Sequence, residues 1–187
     1  SKTVFAFKSP YHDQYTESHA GGRSALALRF ADLDALVIVG RAAATSFLDL
    51  GSHHFALRSA GFLAGMDVQE SGRLLRRMTP GSGHRTILRI GPAGENLLPL
   101  ANVNVDTYRH FGRMGGGAAL GAKRLKAVVI RGDADFQLSE GRAYNDLFAR
   151  VYESVTASGM MKKYHDLGTP ANLEALDEIR SLPWRNL

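Results

Sequence analysis

Five glycines fall between positions 112 and 121 of this chain, inside Arg109–Val128, RHFGRMGGGAALGAKRLKAV. Glycine lets backbone approach a neighbour or a ligand closely, and the flanking arginines favour phosphate or carboxylate. Two readings follow: amides of Gly115–Gly117 aimed at an anion where a helix begins, or a tight turn that packs the helix closely on a sheet. A Walker loop is excluded, because Gly117–Lys123 lacks the hydroxyl and the spacing, and no G-x-G-x-x-G follows a strand to open a helix.

The rest of the chain alternates short apolar runs with turn residues. Thr3–Phe7 alternates as a strand closed by Ser9-Pro10, and a polar stretch runs from Tyr11 to Ser18. Strands are predicted at 25–30, 35–39, 46–50, 55–57, 85–90 and 127–130, with turns at Gly51-Ser52 and 131–133. Asp67-Val-Gln-Glu70 is a capping-box pattern for a helix to Met78, and a second helix is predicted over 118–126. Beyond Glu140 the texture changes. Tyr144, Leu147, Phe148, Val151, Tyr152 and Val155 follow helical spacing, and Thr169-Pro170 opens another helix with Leu173, Leu176 and Ile179 as its stripe. The expected fold is α+β, a mixed sheet forming a base with packed helices and a helical C-terminal quarter. Residues 1–133 form the main part of a β-rich domain, and 134–187 lead towards further helices.

The net charge is +5 and the basic residues are scattered, which permits anionic ligands. Arg73, Arg76 and Arg77, and Lys123, Arg124 and Lys126, are read as solvated helix faces. Aromatic and basic residues are not interleaved, so no nucleic-acid partner is expected. No apolar run is long enough to cross a bilayer, and the opening SKTVFAFKSP is too short in apolar residues for a signal peptide. Cysteine is absent, which excludes disulfides, a thiol nucleophile and cysteine-held clusters within these residues and fits a cytoplasmic setting. His53 and His54 point to opposite faces of a strand, and His12 and His19 lack carboxylates at ligand spacing, so neither pair reads as a metal site. Asp32 and Asp34 read as turn residues, and no G-x-S-x-G frames a serine.

Ile90-Gly-Pro-Ala-Gly-Glu-Asn-Leu97, Asn102–Asp106, Tyr108–Arg113 and Gly117–Ala127 together resemble the N-terminal domain of the aldehyde ferredoxin oxidoreductases. Lys8-Ser9-Pro10, Gly21-Gly22 and Ala35–Gly40 fall at that family's spacing. The resemblance implies a pterin-binding base for a tungsten or molybdenum bis-pterin cofactor. It further implies a magnesium ion between the pterin phosphates and a 4Fe–4S cluster held by ligands outside this segment. It also implies that part of the N-terminal domain precedes Ser1 and that helical domains follow Leu187.

By matching position, Lys2, Gly21, Arg109 and Gly112 would contact the pterins, and main-chain carbonyls of His19 and His110 would complete the magnesium shell. The catalytic acid or base would lie elsewhere. Lys2 stands where the family has arginine, Arg23 where it commonly has an aromatic residue, and Met114 where it has glycine. The implied reaction is oxidation of an aldehyde, or another small carbonyl substrate, to a carboxylic acid, with ferredoxin or another electron-transfer subunit as acceptor. A homodimer is compatible with it. Two alternatives stand beside this reading: reduction of an aromatic thioester by a related pterin enzyme, and a scaffold that has lost the cofactor.

Overall fold

The computed structural model describes residues 2–81, 84–134, 138, 140–159 and 162–182. The chain divides into two compact units, Ser1–Phe136 and Gln137–Leu187.

The first unit is α+β. A six-stranded mixed sheet has the order β4-β3-β8-β5-β6-β7, built from β3 (Ser46–Gly51), β4 (His54–Ser59), β5 (His84–Arg89), β6 (Val103–Val105), β7 (Arg109–Phe111) and β8 (Leu125–Gly132). Among the described residues β3 and β8 run parallel and the other pairings are antiparallel. A separate antiparallel hairpin joins β1 (Thr3–Lys8) to β2 (Tyr15–Ala20). Strand β8 reads as an almost unbroken apolar run because both faces of the sheet are covered. Leu48, Leu50, Val128, Ile130, Val103, Val105 and Phe111 meet helix α1 (Ser24–Phe30) and the hairpin on one face. Phe47, Ile87, Ala127 and Val129 meet Leu63, in a 3₁₀ turn at Gly61–Leu63, and Leu75 of helix α2 (Val68–Met78) on the other.

Helix α2 starts as its capping pattern predicts, since Asp67 Oδ1 accepts from the amides of Gln69 at 2.6 Å and Glu70 at 2.8 Å. Arg73, Arg76 and Arg77 lie exposed on it. Three expectations are corrected. Residues 25–30 form helix α1 rather than a strand: Ser24, Ala27 and Ala31 are buried at helical spacing, a pattern that a short apolar run does not distinguish from a strand. Residues 35–39 form no strand; Leu36 and Ile38 rest on the core while Val37 and Val39 project into solvent. The helix expected over 118–126 is α4, Gly116–Ala122. It ends because Arg124 adopts φ 54°, in the left-handed region, before β8 begins. Lys126 is therefore a buried strand residue and not part of a solvated helix face.

A short helix α3 (Pro92–Glu95) fills the turn after β5, with proline in its first turn. Helix α4 packs against it through glycine. A Cβ on Gly121 would lie 1.9 Å from the carbonyl oxygen of Gly94, and one on Gly117 would lie 2.5 Å from that of Asn102. The glycine run thus serves close packing of the helix, chiefly against α3 and the segment before β6.

The second unit is helical: α5 (Gly141–Thr156), α6 (Lys162–Asp166), a 3₁₀ turn at Thr169–Asn172 and α7 (Leu173–Glu178). Thr169-Pro170 therefore opens a 3₁₀ turn rather than capping the α-helix directly. The apolar stripe of α5 lies open, with each of its six residues exposed.

Candidate cofactor-binding site

The end of the β1–β2 hairpin meets strand β7, and this junction gathers the residues singled out by sequence. Thr3 pairs with Ala20, so Lys2 and Gly21 follow one step beyond that pair on either strand. Ser18 is buried, and its Oγ accepts from the amide of Arg113 at 3.2 Å, tying the hairpin to the segment after β7. Gly22, at φ 95°, approaches Arg109 so closely that a Cβ there would lie 3.2 Å from Arg109 Cγ.

Strand β7 is held in place by β6, through Val105–Arg109, Asn104–His110 and Val103–Phe111. Between the two strands Asp106 stands at φ 52°, its Oδ1 accepting from the amide of Ile87 at 3.0 Å and its Oδ2 from Thr86 Oγ1 at 2.8 Å. This anchor sets the turn that returns the chain to Arg109. On the core side, buried Phe111 packs against Phe5 of the hairpin with ring centroids 5.5 Å apart.

Gly21 and Gly112 have a property that separates them from the packing glycines. Neither has positive φ, and a Cβ on either would meet nothing within 4 Å. Neither backbone conformation nor protein packing calls for glycine there, whereas close seating of a bulky ligand on the main chain would. Arg109 is exposed beside them and makes no ion pair among the described residues. Lys2 and His110 are exposed too. The His19 ring is turned to Glu17, Nε2 lying 3.1 Å from Oε2, so its side chain is engaged on the outer face of the hairpin with Tyr15, which donates to the same carboxylate. The hydroxyl of Tyr15, then the ring of His19, hold the Glu17 carboxyl below its usual range.

The other candidates stay apart from this junction or from one another. Asp34 faces Arg29 at 3.6 Å while Asp32 occupies a left-handed turn, and His54 Nε2 lies 3.3 Å from buried Asp49. Among the described residues no group of three or more histidines and carboxylates is arranged to hold a metal ion.

A family model for the N-terminal domain of aldehyde ferredoxin oxidoreductase matches residues 1–132. The chain belongs to the aldehyde ferredoxin oxidoreductase family. It is 30% identical over 183 residues to the tungsten-containing aldehyde ferredoxin oxidoreductase of Pyrococcus furiosus, covering 96% of this chain and 30% of that protein. The enzyme of the same description from Pyrococcus horikoshii is 31% identical over equal coverage. A more distant relative is the WOR-like subunit of an aliphatic sulfonate oxidoreductase from Pyrococcus furiosus, 27% identical over 70% of the chain and 23% of that subunit. The chain spans about a third of the length of these aldehyde ferredoxin oxidoreductases. Among solved structures it is similar to the active-site complex BamBC of benzoyl coenzyme A reductase bound to 1,5-dienoyl-CoA. The TM-score is 0.75 at 26% identity, over 84% of this chain and 24% of that one.

The two sequence segments IGPAGEN and GAKRLKA meet in the fold. Glu95, from IGPAGEN, pairs with Lys126, from the later GAKRLKA, and Lys126 Nζ also donates to the carbonyl of Met66 at 2.8 Å. The second oxygen of Glu95 accepts from the amide of Gly65 at 2.8 Å. This pair, with Ser18 and Asp106, escaped sequence reading. A lysine beside other basic residues looks like surface charge until the strand that buries it is known.

Proposed function

We propose that this chain is the cofactor-cradling portion of a tungsten- or molybdenum-pterin oxidoreductase. The observation that carries the reading is the pair Gly21 and Gly112, each facing open space without steric need, with the exposed guanidinium of Arg109 beside them. The residues present fit a flat, phosphorylated cofactor. Arg109 and Lys2 supply positive charge for phosphate, Arg109 with a planar fork and Lys2 with a point charge. Gly21 and Gly112 let the rings lie against backbone. Main-chain carbonyls of His19 and His110 offer the hard oxygen donors that magnesium takes between phosphates. When bound, the metal–pterin centre supplies the two-electron oxygen-transfer chemistry. This chain's residues bind and orient it.

The reaction we assign to the whole protein is oxidation of an aldehyde with water to a carboxylic acid. Two electrons would leave through an iron–sulfur cluster to ferredoxin or a comparable subunit. The names of the tungsten-containing relatives support it. The likeness to benzoyl coenzyme A reductase favours a second reading, reduction of an aromatic thioester on the same base.

Metal and pterin analysis of the full-length protein from its native source tests the cradle. We expect tungsten or molybdenum with pterin, and at least tenfold lower pterin content in Gly112→Val, where a branched side chain would fill the seat. Native protein free of pterin and of both metals would leave a scaffold that has lost the cofactor. Turnover of aldehydes against turnover of aromatic thioesters separates the two enzymatic readings.

A further inference from the structure

Strand β6 pairs with β5 only at Leu88 and Arg89, so the first half of β5 outruns its neighbour and leaves a notch at the sheet edge. A cavity of about 130 Å³ occupies it, lined by Arg23, Arg76, Gly81, His84 and Arg85. Three arginines and a histidine thus line a space large enough for one tetrahedral oxyanion. None of the residues assigned to the pterin cradle lines it.

Among the described residues the guanidiniums of Arg76 and Arg85 share one nearby carboxylate, that of Asp106. Asp106 Oδ1 approaches Arg76 Nη2 at 3.9 Å, and both oxygens of that carboxylate already accept hydrogen bonds from Ile87 and Thr86. Arg85 Nη1 donates to the carbonyls of Thr79 and of Arg76, the latter at 3.1 Å, yet its Nε is buried and has no partner among the described residues. Burial first, and then the nearby charges of Arg76 and Arg131, push the Arg85 guanidinium below its ordinary pKa. A buried donor left unpaired is costly, and like charges crowded together repel. An anion seated among the three forks relieves both.

We propose that this notch binds the phosphate group of a small ligand, either inorganic phosphate or the head of a phosphate monoester. Guanidinium forks match the oxygens of phosphate in pairs. The proposal does not rest on the pterin reading, because phosphate binding is read directly whether or not the cofactor is present.

The test is titration calorimetry of the full-length protein with inorganic phosphate and with glycerol phosphate, at fixed ionic strength. Arg23 and Arg76 are exposed, so Arg23→Gln and Arg76→Gln keep the fold, which circular dichroism checks. We expect saturable binding of at least one probe, weakened tenfold or more in each variant and unchanged in Lys8→Gln, whose side chain pairs with Asp13 on the surface. Binding of glycerol phosphate alone assigns the site to an ester, and binding of both probes assigns it to free phosphate as well. No saturable binding of either probe, or equal binding in Arg23→Gln and Arg76→Gln, overturns the proposal.

Discussion

Lys126 is wholly buried on β8, and its ammonium is paired with the carboxylate of Glu95 at the end of α3. The carboxylate reaches on to Gly65 and the ammonium to Met66, so one ion pair ties the central strand, the IGPAGEN turn and the entry to α2. Removing one partner of such a pair leaves the other charge stranded in the interior. Glu95→Ala should cost about 3 kcal/mol in urea unfolding. The double variant Glu95→Leu with Lys126→Met should recover most of that loss. A double variant no more stable than Glu95→Ala would show that the hydrogen bonds to Gly65 and Met66 matter more than the charge pairing.

Gly121 has no room for a side chain, because the carbonyl of Gly94 occupies the place of a Cβ. Backbone cannot swing aside as a flexible side chain does. Gly121→Ala should therefore push α4 off α3 and destabilise the fold by roughly 2–3 kcal/mol, despite the better helix propensity of alanine. Gly141→Ala, where a Cβ meets nothing within 4 Å, is the matched control and should not destabilise. Equal melting temperatures for the two variants would refute the packing role.

Met114 and Gly115 are consecutive left-handed residues, at φ 64° and 81°. Glycine adopts this conformation without penalty, whereas a side chain costs roughly 1 kcal/mol. Met114→Gly should raise stability by about that amount in denaturant titration. Gly115→Ala should lower it by more, because its Cβ would also strike Pro10 and the carbonyl of Pro99. A loss of stability in Met114→Gly would mean that packing of the methionine side chain outweighs the backbone strain.

Asp133 accepts from the amide of Ser52 at 2.8 Å, and this hydrogen bond is the main reason its carboxyl lies below the usual range. A carboxyl with a lowered folded pKa contributes stability that is present above its unfolded value, about pH 4, and is lost as pH falls through the folded value. Melting temperature should thus fall less steeply below about pH 4 in Asp133→Asn than in the parent. Parallel curves would show that the loop between β3 and β4 does not depend on this charge.

The periodic parts of this fold were legible in the chain. Helix α2 announced itself through the Asp67 cap, and β3 and β8 through short, largely apolar runs whose two faces are both covered. Strands β6 and β7 were not legible. Each has three residues, too few to display a period, and they form because Asp106 and the neighbouring ladder hold them. The segment at 25–30 was misread for a related reason, since a short, mostly apolar stretch fits a strand or a helix until its buried face is known.

The same division runs through the site. Sequence by itself determined the family, the supply of glycine and arginine in Gly21-Gly22 and Arg109–Gly112, and the capped helix, because residue type and short spacing carry that information locally. Tertiary structure alone decided which glycines are pressed against backbone and which face open space. It also decided that Lys126 is buried while Arg109 is exposed, and that Arg23, Arg76 and Arg85 share one notch. Burial and charge balance are properties of what surrounds a residue, and those surroundings come from chain segments far apart in sequence.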